Sequence, residues 1–198
     1  MNATSMTVSG ARLEWNLPDR GRVAMLCLIA AEAAIFTIFV VAYVFYLGKS
    51  LTGPMPKYVL SIPIVYTICL LSSSFTIHFA AKHLRRGDVL SFGVLWLATI
   101  TLGAAFLYGT GTEWYRLIYK EGFTIGTNLF GTTYYSLVGL HGFHVVVGLL
   151  SLSTVMVFTL TGRVRSEHAE RIDVLSLYWH FVDVVWIVVF TVVYVIGR

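Results

Sequence analysis

Six side chains in this sequence could do acid–base or metal chemistry from within apolar surroundings. Glu32 is the only charge in VAMLCLIAAEAAIFTIFVVAYVFYL. His180 and Asp183 stand three residues apart in LSLYWHFVDVVWIVVFTVVY, flanked by Trp179 and Trp186. His141 and His144 have the same spacing in GLHGFHVVVG, and Glu113 lies in GTEWYRL. On a helix, residues three apart project from one face. Each pair can therefore point together into a bundle. Carboxylates and imidazoles in that setting suit a buried hydrogen-bond network or proton transfer. A proton wire, however, needs a continuous series of donors, and the stretch around Glu32 offers no second acid. Two histidines on one face also have the spacing of metal ligands, but two histidines and a distant Glu113 make an incomplete catalytic site. The alternative is structural: hydrogen bonds to Glu113, to hydroxyls or to carbonyls of neighbouring helices.

The elements that must carry these groups are membrane spans. The chain has 198 residues, of which 57% are hydrophobic and only 12% charged, and its mean hydropathy is +0.78. Soluble domains carry about 25% charged residues. Ionisable side chains inside such segments are costly and usually have a partner or a task. Five apolar stretches, about 23–47, 59–81, 89–108, 129–160 and 174–196, each come near or above the roughly 20 residues that a spanning helix needs. The expectation is an all-α bundle of five transmembrane helices forming a single domain over residues 22–198, preceded by a polar tail, residues 1–21. The tail lacks an apolar core followed by a cleavage site, so it does not read as a signal peptide. Cys27 and Cys69 belong to no metal or redox spacing and are expected to be small, buried packing residues.

Charge sets the orientation. Arg12, Arg20, Arg22, Lys82, Arg85, Arg86, Arg163, Arg165 and Arg171 fall on one side of the bundle. Lys49, Lys57, Arg116, Lys120 and Arg198 fall on the other. The positive-inside rule places the N-terminus in the cytoplasm and the C-terminus outside. The net charge of +4 is ordinary loop bias and does not point to nucleic acid. The flank of Lys82, Arg85 and Arg86 suits anionic lipid headgroups. At 1.5 Å rise per residue, Glu32 lies about 15 Å from the basic side, with His180 and Asp183 about 14 and 18 Å from it. These three groups are expected to share a depth. His144 comes out farther, at about 28 Å. Gly139, Gly142 and Gly148 suit close helix packing around the histidines.

Taken in order, the acid-bearing first span, SSSFTIHFAAKHLRRGD, Glu113-Trp114-Tyr115, GTTYYSLVGLHGFHVVVGL and SLYWHFVDVVWIVVFTVVY resemble subunit III of haem-copper terminal oxidases, in its five-helix bacterial form. The resemblance covers nearly the whole chain, and the last two strings are long and uncommon. It implies an accessory, non-catalytic subunit of a proton-pumping oxygen reductase in the bacterial plasma membrane. Haem and copper would belong to partner subunits I and II, and this chain would bind none of its own. It would pack chiefly against subunit I, hold phospholipid, and support proton uptake and sustained turnover. Glu32 would match the family's intramembrane carboxylate, associated with a lipid cleft. Glu113, His141, His144, His180 and Asp183 would be recurrent structural polar positions. Cytochrome c is the favoured electron donor. A quinol oxidase subunit III and the related protein encoded with nitric oxide reductases are the alternatives. From the residues alone, a proton- or cation-coupled transporter using Glu32, His180 and Asp183 is a competing function. Transport would favour two related halves with broken helices, which this chain does not display.

Overall fold

The computed structural model describes residues 19–49 and 63–197. Most of the polar tail (residues 1–18), the loop carrying Pro54, Pro56 and Lys57, and Arg198 lie outside the described residues.

Three of the five helices start on a side-chain cap. Asp19 accepts from the Gly21 backbone N–H at 3.2 Å and opens α1, Arg20–Tyr46. Pro63, which has no N–H to leave unsatisfied, precedes α2, Ile64–Arg85. Gly87 then takes φ +79°, the left-handed conformation that ends a helix at little cost to glycine. Asp88 accepts from the Ser91 N–H at 3.0 Å to open α3, Val89–Tyr119. Asn128 does the same for Gly131 at 2.8 Å, opening α4, Leu129–Leu160. A short 3-10 turn, Ser166–His168, leads into α5, Ala169–Phe190, which continues as a π-helical turn over Thr191–Ile196. Among the described residues, five helices are long and apolar enough to cross a membrane.

Two boundaries depart furthest from the hydropathy reading. The third helix runs on to Tyr119 instead of ending near Tyr108, so Glu113 is a helical residue. The polar run GTGTE does not break the helix because its hydroxyls are satisfied locally. Thr110 donates to the Phe106 carbonyl at 3.2 Å and Thr112 to that of Gly109 at 2.8 Å. The closing helix begins at Ala169 rather than at Val174, its ionic first turn being too polar to register as a span.

Helices α2 and α3 pack along one another, α5 lies against α1, α2 and α4, and α1 leans chiefly on α4 and α5. Trp179 of α5 is the central wedge. A Cβ on Gly103 of α3 would sit 2.9 Å from its ring, and one on Gly148 of α4 2.7 Å from it. The indole N–H donates to Ser73 Oγ of α2 at 2.8 Å. One side chain therefore joins four helices. It needs glycine on two of them and a hydroxyl on the third. Gly109 similarly admits the Tyr66 ring, and Gly139 lies against Trp114 at 3.2 Å. Gly142 has open space where a Cβ would go and is not a packing glycine within this chain. Cys27 is likewise exposed on α1, contrary to the buried role expected for it, whereas Cys69 is half-buried. α1 is the least covered helix, and a residue on its outer side meets no other helix.

Candidate functional site

Five of the six candidate side chains fall into three separate sets. Each joins different helices.

The first set joins α1 to α4. Glu32 Oε2 lies 3.1 Å from His144 Nε2. The other ring nitrogen, Nδ1, is 2.8 Å from the Leu140 carbonyl, one turn back on the same helix. A carbonyl only accepts, so Nδ1 carries a hydrogen and donates. The remaining contact then contains one proton, carried either by the Glu32 carboxyl or by Nε2. In both cases the pair is neutral overall, which lowers the cost of placing two ionisable groups inside an apolar bundle. The Tyr178 hydroxyl of α5 donates to the His144 backbone carbonyl at 3.2 Å, fixing that turn from the other side. His144 is buried while the Glu32 side chain remains 24% exposed, so the pair lies at the edge of the bundle.

The second set joins α2 to α5. The Ser74 hydroxyl donates to Asp183 Oδ2. His180 Nδ1 lies 3.0 Å from the same hydroxyl oxygen. With the hydroxyl proton committed to Asp183, Ser74 Oγ accepts from Nδ1–H. Serine is thus the middle member, between acid and imidazole. A nucleophilic triad needs the imidazole in the middle, so this order does not activate the serine. Asp183 is buried, and its Oδ1 has no hydrogen-bond partner among the described residues.

The third set lies at the opposite end of the bundle from the basic flanks. Glu113 Oε2 accepts from the Tyr194 hydroxyl at 3.1 Å, and Tyr134 OH lies 3.5 Å from Tyr194 OH. The π-helical turn carries Tyr194. Inserted turns of this kind re-aim side chains and recur at functional positions.

This grouping corrects the expectation from depth counting. Glu32 does not join His180 and Asp183; it meets His144. The helix α4 has 32 residues, about 48 Å against a hydrocarbon core of about 30 Å. Glu32 is about 18 Å from the start of α1 and His144 about 24 Å from the end of α4. Their contact therefore means that the inner end of α4 projects beyond the start of α1, and measuring His144 from Arg163 overstates its distance from Glu32. The histidine pair also divides. His144 uses both nitrogens, whereas His141 is buried with neither nitrogen hydrogen-bonded among the described residues. The His141 ring stacks on Trp186 at 5.0 Å and meets Phe106 at 5.8 Å. Neither histidine bonds to Glu113. Among the described residues, no three His, Cys, Asp or Glu side chains converge as a metal site would require.

A cleft of about 570 Å³ opens at the basic end, between the start of α1, the end of α2 and the start of α5. Its mouth carries Asp19, Arg22, Arg85, Glu170 and Asp173, and its walls include Leu26, His78, Leu177 and His180. Arg85 forms an ion pair with Asp173, so part of its charge is answered within the chain. Lys82 and Arg86 are exposed beside it. Farther along the same α1–α5 seam lies an apolar groove of about 330 Å³, lined by Ala33, Phe36, Val40, Phe181, Val185 and Val188 among others. Sequence reasoning offered hydroxyls only as general hydrogen-bond partners. It missed Tyr194, Tyr178 and Asp173. For Asp173 a signal was present, an acid close to the basic flanks. For the tyrosines there was none short of knowing which helices touch.

Comparison with known proteins agrees over the same residues. The family model for cytochrome c oxidase subunit III matches residues 20–198. Cytochrome c oxidase subunit 3 of Bacillus sp. (strain PS3) is 35% identical over 173 residues, covering 85% of this chain and 82% of the relative. The subunit of the same name from Thermostichus vulcanus is 31% identical over 184 residues, covering 91% and 90%. Quinol oxidase subunit 3 of Bacillus spizizenii is 29% identical over 194 residues, covering 96% and 94%. With five spanning helices and a match running from the first of them to the last residue, the chain belongs to the cytochrome c oxidase subunit III family of haem-copper oxidases.

Proposed function

We propose that the chain acts as the accessory subunit of a proton-pumping oxygen reductase, working with cytochrome c as electron donor in a bacterial plasma membrane. Its part is to hold subunit I in a durable form, to bind phospholipid, and to support proton uptake without redox centres of its own. Haem and copper reside in subunits I and II in this reading. The observation that carries it is the division of the polar groups into small sets that tie helices together, each within hydrogen-bond reach of its own partners. Such an arrangement suits a scaffold better than a transport pathway, which would need the sets to connect across the bundle. The N-terminus faces the cytoplasm. The starts of α1 and α5 and the end of α2 share one end of the bundle, and that end is rich in Arg and Lys.

The α1–α5 seam supports the lipid part of the proposal. A charged mouth followed along the same seam by an apolar groove matches a phospholipid headgroup and one acyl chain. Lys82, Arg85 and Arg86 would add attraction for an anionic headgroup, with Arg85 partly committed to Asp173. Glu32 lies on the helix that forms one wall. The preference for cytochrome c rests on relatives of that name at 31–35% identity. A quinol oxidase role is the second reading, favoured by a relative matching 96% of this chain.

Mild-detergent purification of the tagged chain from its native membrane tests both readings. The expected result is co-purified haem with oxygen consumption on reduced cytochrome c. Consumption with quinol alone moves the assignment to the second reading. A monodisperse, haem-free chain that catalyses proton or cation flux in liposomes contradicts both.

A further inference from the structure

The second polar set has a property that a purely structural role does not require. It connects the open cleft to a buried carboxylate. His180 lines the cleft, Ser74 Oγ is 3.0 Å from His180 Nδ1, and Ser74 hydrogen-bonds Asp183 Oδ2. Beyond Asp183 the chain of donors stops among the described residues, where Oδ1 is buried without a partner.

We propose that His180, Ser74 and Asp183 form a terminal proton-exchange site, in which a proton entering the cleft is delivered to the Asp183 carboxylate and returns by the same way. The step balances with one proton and no other reactant. A proton from the cleft adds to His180 Nε2. His180 Nδ1–H passes its proton to Ser74 Oγ while the Ser74 hydroxyl proton passes to Asp183 Oδ2. Imidazole and serine end neutral, the imidazole having exchanged one tautomer for the other, and the carboxylate has become a carboxylic acid. The hydrogen bonds then run in reverse, from Asp183 through Ser74 to Nδ1, which keeps every member paired for the return. Groups at the mouth set how readily a proton enters. Asp19, the cap of α1, and Arg22 line the cleft on one side, His78 and Arg85 line it from α2, and Glu170 and Asp173 from α5. Among the described residues no onward acceptor follows Oδ1, so in this proposal the relay ends at Asp183 and the site works as a store.

Infrared difference spectroscopy on the complete oxidase complex, with exchange from H2O to D2O buffer, tests this. The expected result is a protonated-carboxyl stretch that Asp183→Asn removes, that shifts promptly on deuteration in the native complex, and whose shift is slowed in Ser74→Ala. Ser74→Thr restores the hydroxyl and should restore prompt exchange. This separates proton transfer from packing and keeps the test decisive where Asp183→Asn fails to assemble. An unchanged exchange rate in Ser74→Ala, or the lack of any carboxyl band that depends on Asp183, overturns the proposal.

Discussion

The first and last helices of this bundle run in the same direction and pack against one another, yet they are held in opposite ways. In its most apolar stretch α1 has 6% of its residues buried, while the closing helix has 50%. The closing helix is wedged among three others by Trp179, with glycines cleared for the ring on two sides. Its second tryptophan is also anchored, Trp186 donating to Thr67 at 3.2 Å. α1 leans on the edge, and its main polar tie is the Glu32–His144 pair. Hydrophobic sequence alone does not separate the two cases. In a membrane, apolar surface gains little by leaving lipid, so packing shape and hydrogen bonds decide which helix is central.

The largest expected effect strikes the central helix. Trp179→Ala removes the wedge and leaves Ser73 Oγ without its donor, and large-to-small changes of this kind cost roughly 3–5 kcal/mol. Thermal or detergent-induced dissociation of the purified complex should register a strong loss of stability. A small loss would show that α5 is held by something other than this ring. Gly148→Val should approach the same severity from the opposite side, since the added Cβ alone would lie 2.7 Å from Trp179.

Glu32→Ala should cost less, about 1–3 kcal/mol for leaving His144 without its partner. The haem spectrum should stay intact while activity over many turnovers, or retained lipid, declines. Loss of the haem spectrum in an otherwise assembled complex would count against the peripheral place given to α1.

Arg85→Ala breaks an exposed ion pair with Asp173 and should change stability by only about 0.2–1 kcal/mol. Raising the salt concentration should shrink that difference further. A larger, salt-independent change would mean that the mouth of the cleft helps hold α2 to α5.

The smallest effect concerns the turn between α2 and α3. The Ser91 hydrogen bonds, side-chain and backbone, with help from His83 at 3.1 Å, hold the Asp88 carboxyl below the usual carboxylate range. A carboxyl lowered in the folded state contributes stability that is complete above its unfolded pKa and fades as pH falls through the folded value. Wild type and Asp88→Asn should therefore differ slightly at neutral pH and converge in acid. Curves that stay parallel would show that the cap does not depend on charge.

The existence of five spans was legible from hydropathy, and α4 has the limits read from the sequence, Leu129–Leu160. The end of α3 was not legible. The threonines in GTGTE look like a loop until they are seen bonding to their own helix. The six candidate side chains were identifiable because charge and imidazole stand out in apolar text. Their partners were not. Pairing Glu32 with His144 depends on how far α4 projects past α1, a tertiary quantity that residue counting from basic flanks misjudges. Cys27 and Gly142 went astray for a related reason. Residue type suggests what a position can pack against, but only the arrangement of helices tells whether anything is there.

Removing this chain tests the central claim most directly. Oxidase purified with and without it should show the same haem spectrum and the same initial rate of reduced cytochrome c oxidation, with the depleted enzyme losing activity faster over successive turnovers. Loss of haem or of the initial rate in a depleted enzyme that otherwise remains assembled would contradict an accessory role and place the chain within the catalytic machinery.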